Sequence, residues 1–328
     1  MKIGFACIFS EVVNGCIKPV EQFKTKTTTL AWLRRQSSST AEQRLYDIAL
    51  SNAISAQKLV KHIASLPSHL RMVRLGSDQI PLFTHNSYCD FWQATGTLDH
   101  IAHIWQQTGD IAKQHDVRLS FHPGQFVCLA SDKEHVVNNS IQEIEYHATI
   151  ARWMGFCQEF QDFKINIHCS GKLGTAGFKI AFDKLSSEAK KALTVENDEY
   201  TIGLDTIIEL KDTLPITFDL HHEWCYSGHF VSPTDDRYLR VIDSWKGIRP
   251  VVHYSVSRQE YLTDVNTLPC LLDLVSAGFK KAKLRAHSDM FHNSACNQWA
   301  RSFLDVADIM TESKFKNVAS FDLAEKIV

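Results

Sequence analysis

Lys164-Ile-Asn-Ile-His168 is a short β-branched run that ends on an imidazole. The same ending recurs along the chain. Arg118-Leu-Ser-Phe-His122, Leu193-Thr-Val-Glu196, Pro215-Ile-Thr-Phe-Asp219, Pro250-Val-Val-His253 and Asp308-Ile-Met-Thr-Glu312 all close on a metal-ligand residue. One such ending is noise, but a series separated by helix-sized segments is not. It describes strands whose C-terminal ends converge on one mouth of a barrel, where barrel enzymes keep their chemistry.

Two further apolar runs, Lys2–Ile8 and Arg71–Gly76, bring the strand total to about eight, enough to close a parallel barrel. Apolar residues recur at three- and four-residue steps between the strands. The expected helices are Ala41–Leu66, Leu98–Gln114, Val137–Met154, Ala181–Leu193, Thr206–Thr213, Tyr238–Trp245 and Asn266–Phe279. Thr40 and Gln43 read as a capping box before the first of these. The expected fold is α/β, a single (β/α)8 TIM-type barrel over residues 1–328, with long loops at 10–39 and 255–285. Loops of that length in a compact domain are usually functional or disordered.

Bulk properties agree with one soluble α/β domain. Hydrophobic residues make up 44%, ample for a core, and the formal charge of −2 leaves no global field for attracting nucleic acid. Any such contact must use a local basic patch. Nine cysteines, an odd count without a Cys-x-x-Cys pair, read as free thiols in a reducing compartment, the cytoplasm for a bacterial protein. No run reaches membrane-spanning length, and the N-terminus enters a strand without a signal peptide.

The candidate metal ligands are His122, His168, Glu196, Asp219, His222, His253, His287 and Glu312. Histidine and carboxylate without thiolate suit Mn, Zn, Fe or Mg. A strand-terminal His or Asp can instead cap a helix. Glu196 fits that role poorly, because an unpaired carboxylate at a barrel strand end is costly. His221 and His222 compete for one coordination position, the other serving to orient ligands. His147 reads as a helix residue that hydrogen-bonds between helices, while His100, His103 and His115 should be partly exposed.

His122-Pro-Gly-Gln125-Phe126, Ile167-His168, Glu196-Asn-Asp198, Asp219-Leu-His-His222 and Glu312-Ser-Lys314 resemble the UV damage endonuclease (UvdE) family. Ile3-Gly-Phe-Ala-Cys7 and Thr27-Thr-Thr-Leu30 do so too, so the resemblance runs from the first strand to about Lys316. It implies a barrel related to endonuclease IV and the sugar-isomerase barrels. It also implies a cluster of two or three divalent ions, usually manganese, and incision immediately 5′ to cyclobutane dimers and 6-4 photoproducts in double-stranded DNA, with abasic sites as a further substrate. The family ligands fall on the eight residues above. The Gln-Tyr pair that probes the duplex falls on Gln125 and Phe126, which keeps a wedge and loses a hydroxyl. Glu196 and Glu312 become bridging or anchoring carboxylates, His253 completes the coordination, and Lys314 helps to neutralise phosphate. Lys24, Lys26, Arg34 and Arg35, with Trp32 among them, are the expected phosphate contacts.

Two departures stand out. The family's Pro-Lys-x-His, whose lysine is described as a carboxylated ligand, reads Pro250-Val251-Val-His253 here, and valine cannot coordinate. A tyrosine and a polar residue near the first strand are replaced by Phe5 and Phe9. A metal-dependent sugar isomerase on the same barrel, an abasic-site nuclease, and a lesion-binding protein with impaired cutting are the rival readings. No nucleotide cofactor or membrane partner is called for, and a monomer is expected.

Overall fold

A computed structural model describes residues 1–328. The ten strands are β1 (Ile3–Ala6), β2 (Ser10–Val13), β3 (Cys16–Pro19), β4 (Met72–Arg74), β5 (Arg118–Phe121), β6 (Lys164–His168), β7 (Leu193–Glu196), β8 (Ile216–Asp219), β9 (Val251–Tyr254) and β10 (Asp308–Thr311). Eight form a closed parallel barrel in the order β1-β10-β9-β8-β7-β6-β5-β4, with β4 returning to β1. β2 and β3 form a separate antiparallel hairpin.

Helices cover the outside of the barrel, as parallel strands buried on both faces require. The helix Ser38–Ala64 presents Leu45, Ile48, Leu59, Val60 and Ile63 to the core, each essentially inaccessible to solvent. Each such side chain contributes roughly 1.5–3 kcal/mol when fully buried. At the N-terminal end, Asp308 accepts hydrogen bonds from the Lys2 backbone N–H (2.7 Å), Arg118 Nη1 (2.7 Å) and Arg249 Nε (2.8 Å), tying four strand starts together. No helix is long and apolar enough to cross a membrane.

Several sequence expectations need correction. Ser37, not Thr40, caps the first long helix, its Oγ accepting from the Thr40 N–H at 3.2 Å; Gln43 bonds to Asp47 instead. The helix therefore starts three residues earlier than a Thr40 cap would place it. The expected helix Ala181–Leu193 is two, Gly174–Phe182 and Ser187–Ala192, because Ser186 caps the second and Leu193 already belongs to β7. Thr206–Thr213 is a short helical turn, Leu204–Ile207, continued as 3-10 helix over Ile208–Leu210. Asn266–Phe279 shrinks to Leu271–Ser276, since Pro269 fixes the preceding backbone outside the helix. The segment 10–39 holds the β2–β3 hairpin and a short helix, Leu30–Leu33, and 255–285 adds a turn of helix at Lys281–Leu284.

Candidate metal centre at the barrel mouth

Period-two alternation turns every second strand residue inward, and register decides which of them meet. His168 is paired with Glu196 across β6 and β7, and Asp219 with His253 across β8 and β9. Glu196 is the hub. Its carboxylate oxygens lie 3.4 Å from His122 Nε2, 3.3 Å from His222 Nδ1 and 3.1 Å from His253 Nδ1. Glu312 approaches His253 Nδ1 at 3.4 Å and His287 Nδ1 at 3.9 Å. The His168 ring lies 5.1 Å from that of His122 and 5.5 Å from that of His222. All eight candidate ligands thus share one volume. Within it, the ligand atoms of His122, His168 and Glu196, and those of Glu196, Asp219 and His222, lie within 4.8 Å of one another.

Backbone carbonyls hold two of the imidazole rings in place. A carbonyl only accepts, so His122 Nδ1 must donate to the Pro123 carbonyl (3.0 Å) and His222 Nδ1 to the Asn197 carbonyl (3.0 Å). His122 is left with Nε2 towards Glu196, whereas His222 turns Nδ1 to Glu196 and, at 3.7 Å, to Asp219. Although burial opposes charge on it, the Asp219 and Glu196 carboxylates hold His222 well above the usual imidazole range. His221 stands edge-on to His287, ring centroids 5.8 Å apart, with its Nε2 3.0 Å from Ser257 Oγ.

The electrostatics favour a cation. Burial alone would raise the Glu196 carboxyl, yet His253 and His168 hold it well below the usual carboxylate range. Burial likewise opposes charge on Glu312, and Arg74, its ion-pair partner, holds it low. Asp219 is pushed well above the usual range by burial and by the negative charges of Glu196 and Glu312. Burial drives His253 down to about 4 and lowers His168 and His287 as well. Glu196 Oε1, Asp219 Oδ2 and His253 Nδ1 are buried without a hydrogen-bond partner. Unsatisfied buried polar atoms on one volume, two of them carboxylate oxygens, are what a divalent ion would satisfy.

Four residues at the site went unnoticed in the sequence. Arg74 pairs with Glu312, Asn166 donates to Glu196, and Glu199 Oε2 lies 3.5 Å from His222 Nε2. The fourth is Lys164, whose Nζ crosses the barrel interior to His253 Nε2 at 2.9 Å. Lys164, Asn166 and His168 share one face at two-residue spacing, the signal that could have found two of the four. Val251 instead packs with Met72, Met310 and Trp245 in an apolar floor. Phe5 and Phe9 belong to an aromatic cluster with Phe321, away from the ligands. His147 is buried and bonds to the Glu143 carbonyl of its own helix, not to a neighbouring one.

Gln125 and Phe126 stand exposed on the loop after β5, Phe126 with 67% of its surface accessible. Its ring folds over Gly124, where an added Cβ would come within 2.5 Å of it. Lys314 lies outside the ligand cluster, half-exposed and 3.7 Å from Asp289. Lys24, Lys26, Arg34 and Arg35 are exposed, and Lys24 is paired with Glu21 at 3.3 Å.

The family model described as UV-endonuclease UvdE matches residues 1–328. The chain belongs to the UvdE family. As a UvdE member it is an endonuclease. Its relatives include the UV DNA damage endonucleases of Bacillus cereus strain B4264, 27% identical over 92% of this chain and 89% of the relative, and of Bacillus anthracis, 26% identical with the same coverage. The crystal structure of SacUVDE superposes with a TM-score of 0.73 at 25% identity, covering 99% of this chain and 97% of that one. Endonuclease IV from Thermus thermophilus shares the barrel, with a TM-score of 0.52 at 14% identity over 83% of this chain and 92% of that one.

Proposed function

We propose that the chain is a metal-dependent repair endonuclease that hydrolyses the DNA phosphodiester immediately 5′ to UV photoproducts, and also acts at abasic sites. The observation that carries this reading is the group of unsatisfied buried ligand atoms on Glu196, Asp219 and His253, opening at a mouth beside the exposed Gln125-Phe126 pair. Bound divalent ions, with manganese as the working choice and two or three as the number, supply neutralisation of phosphate charge and a water of lowered pKa.

In this reading the protein holds geometry. Glu196 and Glu312 anchor the ions, and His122, His168, Asp219, His222, His253 and His287 complete the shells. Pro123 and Asn197 fix two of the imidazoles through their carbonyls. Arg74 keeps Glu312 charged for the purpose. Gln125 and Phe126 enter the duplex where stacking is already weak. A photoproduct costs less to unstack than an intact step, so recognition needs no base sequence. Lys24, Lys26, Arg34, Arg35 and Lys314 contact phosphates in this account.

The test is incubation with Mn²⁺ and an end-labelled duplex carrying one cyclobutane dimer, beside an undamaged duplex and Glu196→Gln protein. Incision just 5′ to the dimer, lost in the variant, is expected. Absence of incision at full metal content would overturn the reading and turn attention to abasic DNA alone.

A further inference from the structure

The loop after β9 carries a basic ridge outside the expected phosphate contacts. Lys280, Lys281, Lys283 and Arg285 fall within six residues without an intervening acid. The three lysines are exposed, and none of the four cations lies within 4.0 Å of a carboxylate. Lys24, by comparison, is paired with Glu21.

Arg285 connects the ridge to the metal centre. Its guanidinium sits 3.7 Å over the ring of Tyr200, and its Nη2 donates to the Glu199 carbonyl at 3.1 Å. Glu199 in turn reaches His222, and His287 lies two residues beyond Arg285. Tyr200 stays 63% exposed, yet its loop is braced. Asp198 Oδ1 accepts from the Tyr200 and Thr201 N–H groups at 2.7 and 2.6 Å. The Tyr200 ring is therefore a fixed platform with one face covered by a cation and the rest open.

The position on the barrel gives the ridge its meaning. β5 and β9 lie four steps apart in a closed ring of eight strands. The ridge itself lies on the connection from β9 to β10, and Arg285, resting on Tyr200 and Glu199, brings it against the loop after β7, two steps round the barrel from β5. Unpaired lysines attract phosphates without reading sequence. A stacked, partly exposed aromatic ring offers a face to an unpaired base.

We infer that Lys281, Lys283 and Arg285 with Tyr200 form a second DNA-contact surface, beside the metal centre and separate from Phe126. The lysines and Arg285 hold backbone phosphates, and Tyr200 stacks on a base released at the lesion. This rests on the proposed function. The test measures full-chain binding by fluorescence anisotropy in EDTA across a salt series, on duplexes with and without one cyclobutane dimer. Lys281→Glu with Lys283→Glu should weaken both complexes and flatten the log–log salt dependence by roughly 2, two phosphate contacts at about 0.9 each. Tyr200→Leu should cost roughly tenfold on the dimer duplex and little on the intact one. If the wild type binds and the lysine variant keeps its slope and affinity, the surface is wrong while the proposed function stands. If the wild type binds neither duplex, in EDTA or with Mn²⁺ restored, both fall. A thermal melt of each variant separates these results from misfolding.

Discussion

Asp219 uses its two carboxylate oxygens differently. Oδ1 caps the helix Leu220–Ser227 by accepting from the His222 N–H at 2.7 Å, while Oδ2 is buried at the cluster without a partner. The capping and the ligand readings of a strand-terminal aspartate are thus compatible. Lys164 is a second residue with a measurable consequence. Burial pushes its amine down to about 7 from the ordinary 10.5. The unfolded chain then binds more protons than the native one between those pH values, so native stability rises with pH across that window. Below about 7 the whole penalty is in force. It amounts to at most about 5 kcal/mol. In chelator, Lys164→Met should raise the midpoint of denaturant unfolding at pH 7 and flatten its rise towards pH 10. An unchanged pH slope would show that the amine is not a buried cation.

Among the elements, the Glu196-Asn197-Asp198 run assigns three polar residues to three tasks. Glu196 is the hub. Asn197 bridges β7 to β8, giving an N–H to the Asp219 carbonyl at 3.0 Å and accepting from the Asp219 N–H at 2.8 Å. Asp198 holds the following loop. The outer helices hold their own constraints. Gly109 lies where the helix Asp99–Gln114 meets the end of Glu134–Trp153, and a Cβ there would come within 1.9 Å of the Met154 carbonyl oxygen. That neighbour is backbone and cannot step aside cheaply. Gly109→Ala should therefore destabilise by about 1–3 kcal/mol, as overpacking does, despite alanine's better helix propensity. Ser37→Ala should cost about 1 kcal/mol through loss of the N-cap. Chemical denaturation checks both, and a neutral Gly109→Ala would mean the two helices can separate.

At the scale of the molecule, folding assembles repulsion. Closing the barrel brings Glu196, Asp219 and Glu312 together, and Asp219 is pushed up in response. A divalent ion that binds only the native arrangement must stabilise it. At a hundredfold excess over its dissociation constant the gain is about 2.7 kcal/mol. Scanning calorimetry with Mn²⁺ against EDTA should show a higher Tm that Glu196→Gln largely abolishes. An equal Tm with and without the ion would count against a metal centre. The same closure sets the ends of β5 and β9 on opposite sides of the mouth.

The barrel and six of its eight candidate ligands were legible in the chain because strand ends repeat; His222, in the helix after β8, and His287, in the connection after β9, lie outside that pattern. A β-branched run closing on His, Asp or Glu is a local pattern, and parallel closure carries every C-terminal end to one side. Helix boundaries were less legible, since Ser37, Ser186 and Pro269 act through local competition that a broad apolar period does not resolve. How the His122 and His222 rings are held depended on carbonyls placed by the fold. Lys164 meeting His253 from three strands away, and Arg285 meeting Tyr200, depended on register and closure alone. Sequence spacing encodes which face a residue takes, but only the closed barrel brings faces separated by tens of residues into contact.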